Sequence, residues 1–521
     1  MPGDPQGITR RLPVEMAMLR VSRARHRLPR LFGTPQLVIL GLGVMIGAGI
    51  FSLSGVQAAV NAGPAVILSF VIGGVVCGIA ALSYAELSST IPVAGSAYTF
   101  SYVAFGEIWG WLVGWALILE LLVAAALVAR AWSSYFIATL DGFEVTVPDW
   151  LLEYGQFDSD INIVAPALLL LLTLLIVTGT RLSARVLTLV VLAKVAVILF
   201  VIVVGARYID RDNYTPFVPE RSEIPNAPAA TVFQTMLGET SSGYGITGVF
   251  MAAGVLTFAY IGFDLIATAA EDTREPRRSV PRGMLIGLAM VGVLYVAMAA
   301  VMVGLRPYAE LATGAPVSDA LRGVGVDWAA DVVNVGGLLA FTTVIMVVLI
   351  AQSRVLFAMG RDGLLPRGLS RVSSFSAPSR AAVTAGLAAI VLALYPQIGE
   401  LEQLLVLGAL FAFFFCAVGV VVLRRTNAGL ERGFRVPLVP AVPVLSALLT
   451  IWLSLNLTLE TWRNFVIWMA VGLALYLVYG AGHSVLATAG GDDHLFAEGA
   501  DDAADVDEPV HGGRHRGKHA R

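Results

Sequence analysis

Twelve stretches of this chain are apolar for long enough to cross a lipid bilayer, and no other feature narrows its possible folds so far. A helix rises about 1.5 Å per residue, so about 20 apolar residues span the roughly 30 Å of hydrocarbon. The first six runs are Gln36 to Val60, Pro64 to Ser88, Gly106 to Phe136, Ile163 to Gly179, Val186 to Ala206 and Gly245 to Ala270. The second six are Gly283 to Gly304, Val332 to Met359, Ala381 to Tyr395, Leu401 to Leu423, Val439 to Leu457 and Phe465 to Val485. Composition agrees: 57% of residues are hydrophobic and 14% charged, with a mean hydropathy of +0.79, against about 25% charged in soluble domains. An all-α polytopic membrane protein with twelve transmembrane helices is expected. The net charge of -3 gives no reason to expect a nucleic-acid partner.

Charge in the connecting segments predicts an orientation. With the N-terminus in the cytoplasm, 26 of the 34 Lys and Arg fall on the inner side, and the third-to-fourth loop, Asp141 to Asp160, holds six carboxylates and no basic residue. That is the bias of the positive-inside rule. Both termini are expected in the cytoplasm of a cell whose plasma membrane the chain spans. Residues 1–35 form a basic arm without the cleavage pattern of a signal peptide. Residues 486–521, acidic and then His-rich, read as a disordered tail.

Two runs look broken. Gly41-Leu42-Gly43-Val44-Met45-Ile46-Gly47-Ala48-Gly49 puts four glycines into nine residues of the first run, and each glycine weakens a helix by about 1 kcal/mol relative to alanine. The sixth run carries Phe258-Ala259-Tyr260-Ile261-Gly262-Phe263-Asp264, a β-branched and aromatic stretch with a glycine and a carboxylate. Irregular backbone survives at membrane depth only when it is buried in protein or lines a wet cavity. Such motifs also let helices pack closely, but a pair of them in equivalent places of two halves points to a transporter site at the midplane. The breaks lie five spans apart, an odd number, so the second half is expected to be inserted upside down relative to the first.

A broken helix offers free amides at the start of its second half and free carbonyls at the end of its first, and a zwitterion satisfies both. A substrate carboxylate is expected on the amides of Ala48, Gly49 and Ile50. Its ammonium is expected on carbonyls near Met45 and Ile46 and at Phe258, Ala259 and Ile261. Met346, Ile345 and Phe263 are candidate walls for its side chain. Lys194 stands ninth in the fifth run, where a charged lysine costs about 2.5–3.5 kcal/mol even on permissive insertion scales. A lysine can snorkel to an interface, but arginine is the usual cation of this chain and its other lysine is in the tail. Lys194 is therefore read as a group that gains and loses a proton during a transport cycle. Glu120, deep in the third run, must be protonated, paired or facing water; its candidate partners are Lys194 and a cationic substrate. Glu86 and Glu107 read as interfacial or gating residues, and Asp264 as a cap for the resumed sixth helix. Two cysteines inside apolar runs, and histidines confined to the ends, leave no metal-ligand pattern. No catalytic triad or phosphate loop is present either, so neither an enzyme nor a cofactor is expected.

The sixth-run block continues Leu265-Ile266-Ala267-Thr268-Ala269-Ala270-Glu271-Asp272-Thr273-Arg274-Glu275-Pro276. Together with Ile46-Gly47-Ala48-Gly49-Ile50-Phe51, Gly95-Ser96-Ala97-Tyr98 and Arg354 to Pro366, it resembles the bacterial branch of the cationic amino acid transporter family, within the amino acid, polyamine and organocation superfamily. The likeness covers roughly residues 30–485. It implies a LeuT-like inverted-repeat core of five plus five helices with two more. Repeat one would cover about 36–206, repeat two about 245–423, and the extra helices about 439–485. It also implies a secondary transporter of L-amino acids, cationic or small and neutral, in which Lys194 and Glu120 stand where proton-coupled members carry a lysine and a glutamate. Amino acid exchange without proton coupling and a non-transporting amino acid sensor are the alternatives.

Overall fold

The computed structural model describes residues 10–22, 32–93, 95–157, 159–178, 184–222, 229–270, 273–371, 378–395 and 401–488. The tail histidines and most of the basic arm lie outside these residues.

The main helices are α1 (Thr34–Met45), α2 (Val66–Thr90), α3 (Glu107–Gly142), α4 (Val164–Val177), α5 (Ala184–Gly205) and α6 (Gly245–Tyr260). They continue with α7 (Pro276–Leu305), α8 (Asp327–Arg361), α9 (Ser379–Ala393), α10 (Glu402–Thr426), α11 (Ala441–Leu455) and α12 (Leu459–Leu475). Among the described residues, eight continuous helical stretches are long and apolar enough to cross a membrane; α1, α4, α9 and α11 are apolar but shorter. The protein is thus a multi-pass membrane protein. Among the described residues the only β pairings are isolated bridges, one of which joins Phe32 at the start of α1 to Thr273 after the sixth-run break.

Local chemistry sets several helix ends. Prolines stand in the first turns of α1 and α7, where the missing N–H has no intrahelical acceptor to lose. Thr458 caps α12 by accepting from the Thr461 amide. Arg424 and Arg425 close α10 at its negative end.

The sixth-run helix is the most deeply buried of those eight stretches: 94% of its apolar window is buried, against 22% for α5 and for α12, which face outward. The two longest helices, α3 and α8, make the most extensive helix contact, followed by α2 with α7. Three buried polar knots fasten the bundle. Glu86, 2% exposed, takes Arg424 on both oxygens at 2.8 and 2.6 Å, the Val436 amide at 2.7 Å and Arg432 at 3.3 Å. Glu107, expected at an interface, is fully buried; its carboxylate accepts from Tyr102, Tyr476 and Ser484, and its amide donates to Arg10. Arg130, in the interior of α3, donates to the carbonyls of Ala393, Phe157 and Ser159. The first of these closes α9, so the guanidinium meets a negative helix end.

Candidate functional site

Both expected breaks are present. Helix α1 stops at Met45, Ile46 turns extended (φ -73, ψ 96), and helical structure resumes as a π turn at Gly49–Leu53. Helix α6 stops at Tyr260, with Ile261 extended (φ -60, ψ 135), and resumes as the single turn Leu265–Thr268. Between them Gly262 has φ 124, a backbone region that side chains exclude. Its amide donates to the Asp264 carboxylate at 3.0 Å. Asp264 occupies the N-cap position of that last turn without a side-chain cap bond, so its carboxylate stabilises the unwound loop.

The breaks are packed against each other. A Cβ added to Gly49 would lie 2.5 Å from the Ala259 Cα, so only glycine lets the two backbones approach this closely. Beside the contact is a small cavity of about 20 Å³, room for about one water molecule. Val44, Met45, Gly47, Ala48 and Gly49 line it from the first run, and Phe258, Ile261 and Leu265 from the sixth. Glu120, Leu121 and Ala124 line it from α3, and Val344 and Val348 from α8. Met346 does not: it stands two positions from each of those valines, about 180° around the helix at 100° per residue. Ile345 and Phe263, the other expected walls, are buried outside the lining.

Most of the acceptors at the breaks are already engaged. Lys194, 1% exposed on the inward face of α5, donates to the Gly43 carbonyl at 2.8 Å and the Ile46 carbonyl at 3.2 Å. The ammonium thereby sits on the negative end of α1. The Tyr295 hydroxyl on α7 reaches the carbonyls of Met45 and Ala259. The Ile50 amide donates to Gly47 at 3.3 Å, and the Phe258 carbonyl accepts from Ile261 at 3.1 Å. Of the three amides expected to receive a carboxylate, that of Ile50 is therefore in use.

Glu120 and Lys194 do not pair. Both carboxylate oxygens of Glu120 are buried at the cavity without a hydrogen-bond partner, while the bonds of Lys194 go to backbone carbonyls. A buried carboxyl in that position needs a proton, a water or a cation brought to it.

Which residues of α3 and α8 form the apolar walls, and the part of Tyr295, were not apparent in the sequence. Tyr295 stands in an apolar run as one more aromatic, and only its fold neighbours reveal which carbonyls it reaches. The spacing of Glu120, Leu121 and Ala124, neighbours on one helical face, was the available signal for the α3 wall.

A family model described as amino acid permease matches residues 32–476. The chain belongs to the amino acid permease family. Among the relatives of this permease, a methylthioribose transporter of Bacillus subtilis (strain 168) is 39% identical, over 92% of this chain and 98% of its own. A branched-chain amino acid permease of the same organism is 37% identical over 90% and 97%. Cationic amino acid transporter 3, mitochondrial, of Arabidopsis thaliana is 35% identical over 75% of this permease and 61% of its own length. These are carriers, and this permease is a membrane transporter rather than an enzyme.

Proposed function

We propose that this permease imports L-amino acids across the plasma membrane by proton symport with alternating access. The observation that carries the reading is the meeting of Lys194 with the carbonyl end of the first break, beside a small cavity that the sixth break and the unpartnered Glu120 also line. The amides of Ala48 and Gly49 receive the substrate carboxylate. Carbonyls at Met45, Ile46, Phe258, Ala259 and Ile261, with Glu120, form the ground the ammonium explores. Lys194 and Glu120 carry the proton.

The frame is twelve spans, five plus five inverted repeats and two more, with both termini in the cytoplasm. Its support is the pattern of packing. Contacts of α3 with α8, α2 with α7 and α4 with α9 each join helices five positions apart, as do the two breaks. Such pairing follows from a two-fold relation between halves.

The walls supplied by Leu121, Ala124, Leu265, Val344 and Val348 favour a neutral aliphatic side chain, in line with the branched-chain permease among the relatives. A methylthioribose substrate is the second reading, favoured by the 39% relative; that sugar has no charges to match the helix ends. A thermal-shift screen with the twenty amino acids and methylthioribose separates the two, because a ligand that binds the native state stabilises it. Uptake into proteoliposomes with and without an inward proton gradient then tests the coupling. Accumulation that ignores the gradient, with intact counterflow, would assign exchange instead.

A further inference from the structure

One hydroxyl bridges the two broken helices. Tyr295 is fully buried, its ring fixed against Phe70 at 5.7 Å and Tyr260 at 5.4 Å between centroids. Its hydroxyl lies 2.5 Å from the Met45 carbonyl and 3.1 Å from that of Ala259. Met45 is the last residue of α1 and Ala259 the next to last of α6, so two negative helix ends converge on this point. A hydroxyl has one proton and can donate to one acceptor at a time. The hydroxyl is therefore one donor short of what the two carbonyls can accept, and each oxygen keeps a second lone pair.

We propose that Tyr295 is a positioning residue for substrate: its hydroxyl sets the Met45 and Ala259 carbonyls as joint acceptors for the α-ammonium group of the amino acid. The inference rests on the amino acid reading above. The hydroxyl contacts both carbonyl oxygens, and Met45 also lines the cavity, where a cationic donor would supply the missing bond. Neighbouring tyrosines do a different job. Tyr260 donates to Phe70 at 2.8 Å, which ties α6 to α2 without touching either acceptor.

The test compares Tyr295→Phe with Tyr260→Phe in purified protein. Equilibrium binding is measured for an aliphatic L-amino acid and for the α-hydroxy acid with the same side chain, which has a hydroxyl in place of the ammonium. In Tyr295→Phe the affinity for the amino acid falls about tenfold or more, the size of one hydrogen bond to a charged group, while the hydroxy acid changes less than about twofold. Tyr260→Phe leaves the ratio of the two affinities as in the wild type. Placing 4-aminophenylalanine at position 295 returns a donor to the ring and restores the ratio. If Tyr295→Phe does not fold, Tyr295→His is read the same way, since its shorter side chain does not carry a donor as far as the two carbonyls. Equal weakening of both ligands, an unchanged ratio, or no recovery with the amino-substituted ring would overturn the proposal. Failure of the wild-type protein to bind any amino acid would instead refute the underlying substrate reading.

Discussion

When protonated, Lys194 would do with one side chain what a bound cation does at the end of a broken helix: it would place positive charge on carbonyls that lost their intrahelical donors. Its removal has two separable consequences. In Lys194→Met the carbonyls of Gly43 and Ile46 lose a donor in a buried place, at a cost of about 1–3 kcal/mol for each group left unsatisfied, so the melting temperature falls. Proton-driven accumulation should also disappear while counterflow between two amino acid pools persists. An Lys194→Met variant whose uptake still follows the pH gradient would remove the lysine from the coupling mechanism. At this scale the sequence was informative where chemistry was out of place. A lone lysine and a carboxylate in apolar runs announce themselves, but the sequence could not tell that they avoid each other. That depends on the rotation of α3 and α5 about their axes, which a helical run of nearly uniform hydropathy leaves undetermined.

Among elements, the interlock of the two breaks changes what glycine substitutions report. Gly49→Val would be a natural probe of the substrate amides, yet any side chain there enters the Ala259 backbone. The variant should separate the first and sixth helices rather than merely block ligand. Gly49→Ala is expected to give little folded protein by fluorescence-detected size exclusion. Gly78→Ala, in α2 with nothing within 4 Å of the added methyl, should be neutral or stabilising by up to about 1 kcal/mol. Equal folded yields for the two would contradict the tight approach. A second element-scale prediction concerns the clamp between α2 and α10. Glu86→Ala leaves Arg424 and Arg432 facing the place of a buried partner, and a pair broken in this way costs about 3–5 kcal/mol. A melting temperature within a degree of the wild type would show that the clamp contributes nothing. Apolar run length and glycine clustering made the helices and the breaks readable in advance. Which helices press on which was not readable, because lipid-facing and protein-facing surfaces draw on the same apolar residues; α5 and α6 look alike in sequence and differ fourfold in burial.

For the whole molecule, the proposed orientation can be checked with little background, since Cys77 and Cys416 are both buried. Thr146→Cys and Asn427→Cys each place a thiol at an exposed position on opposite sides of the proposed membrane. An impermeant maleimide added to intact cells should label the first, and should label the second only after permeabilisation. The reverse pattern would turn the protein over. The knot at Glu107 carries a consequence in time. Two of its hydroxyl donors, Tyr476 and Ser484, are encoded 369 and 377 residues later. At roughly 5–20 residues per second, a ribosome needs about 20–75 s to reach them. During that interval the nascent permease lacks two of the groups that satisfy the carboxylate. A chain released early, short of Tyr476, would keep that defect permanently, a mark by which cellular quality control could sort truncated copies from finished ones.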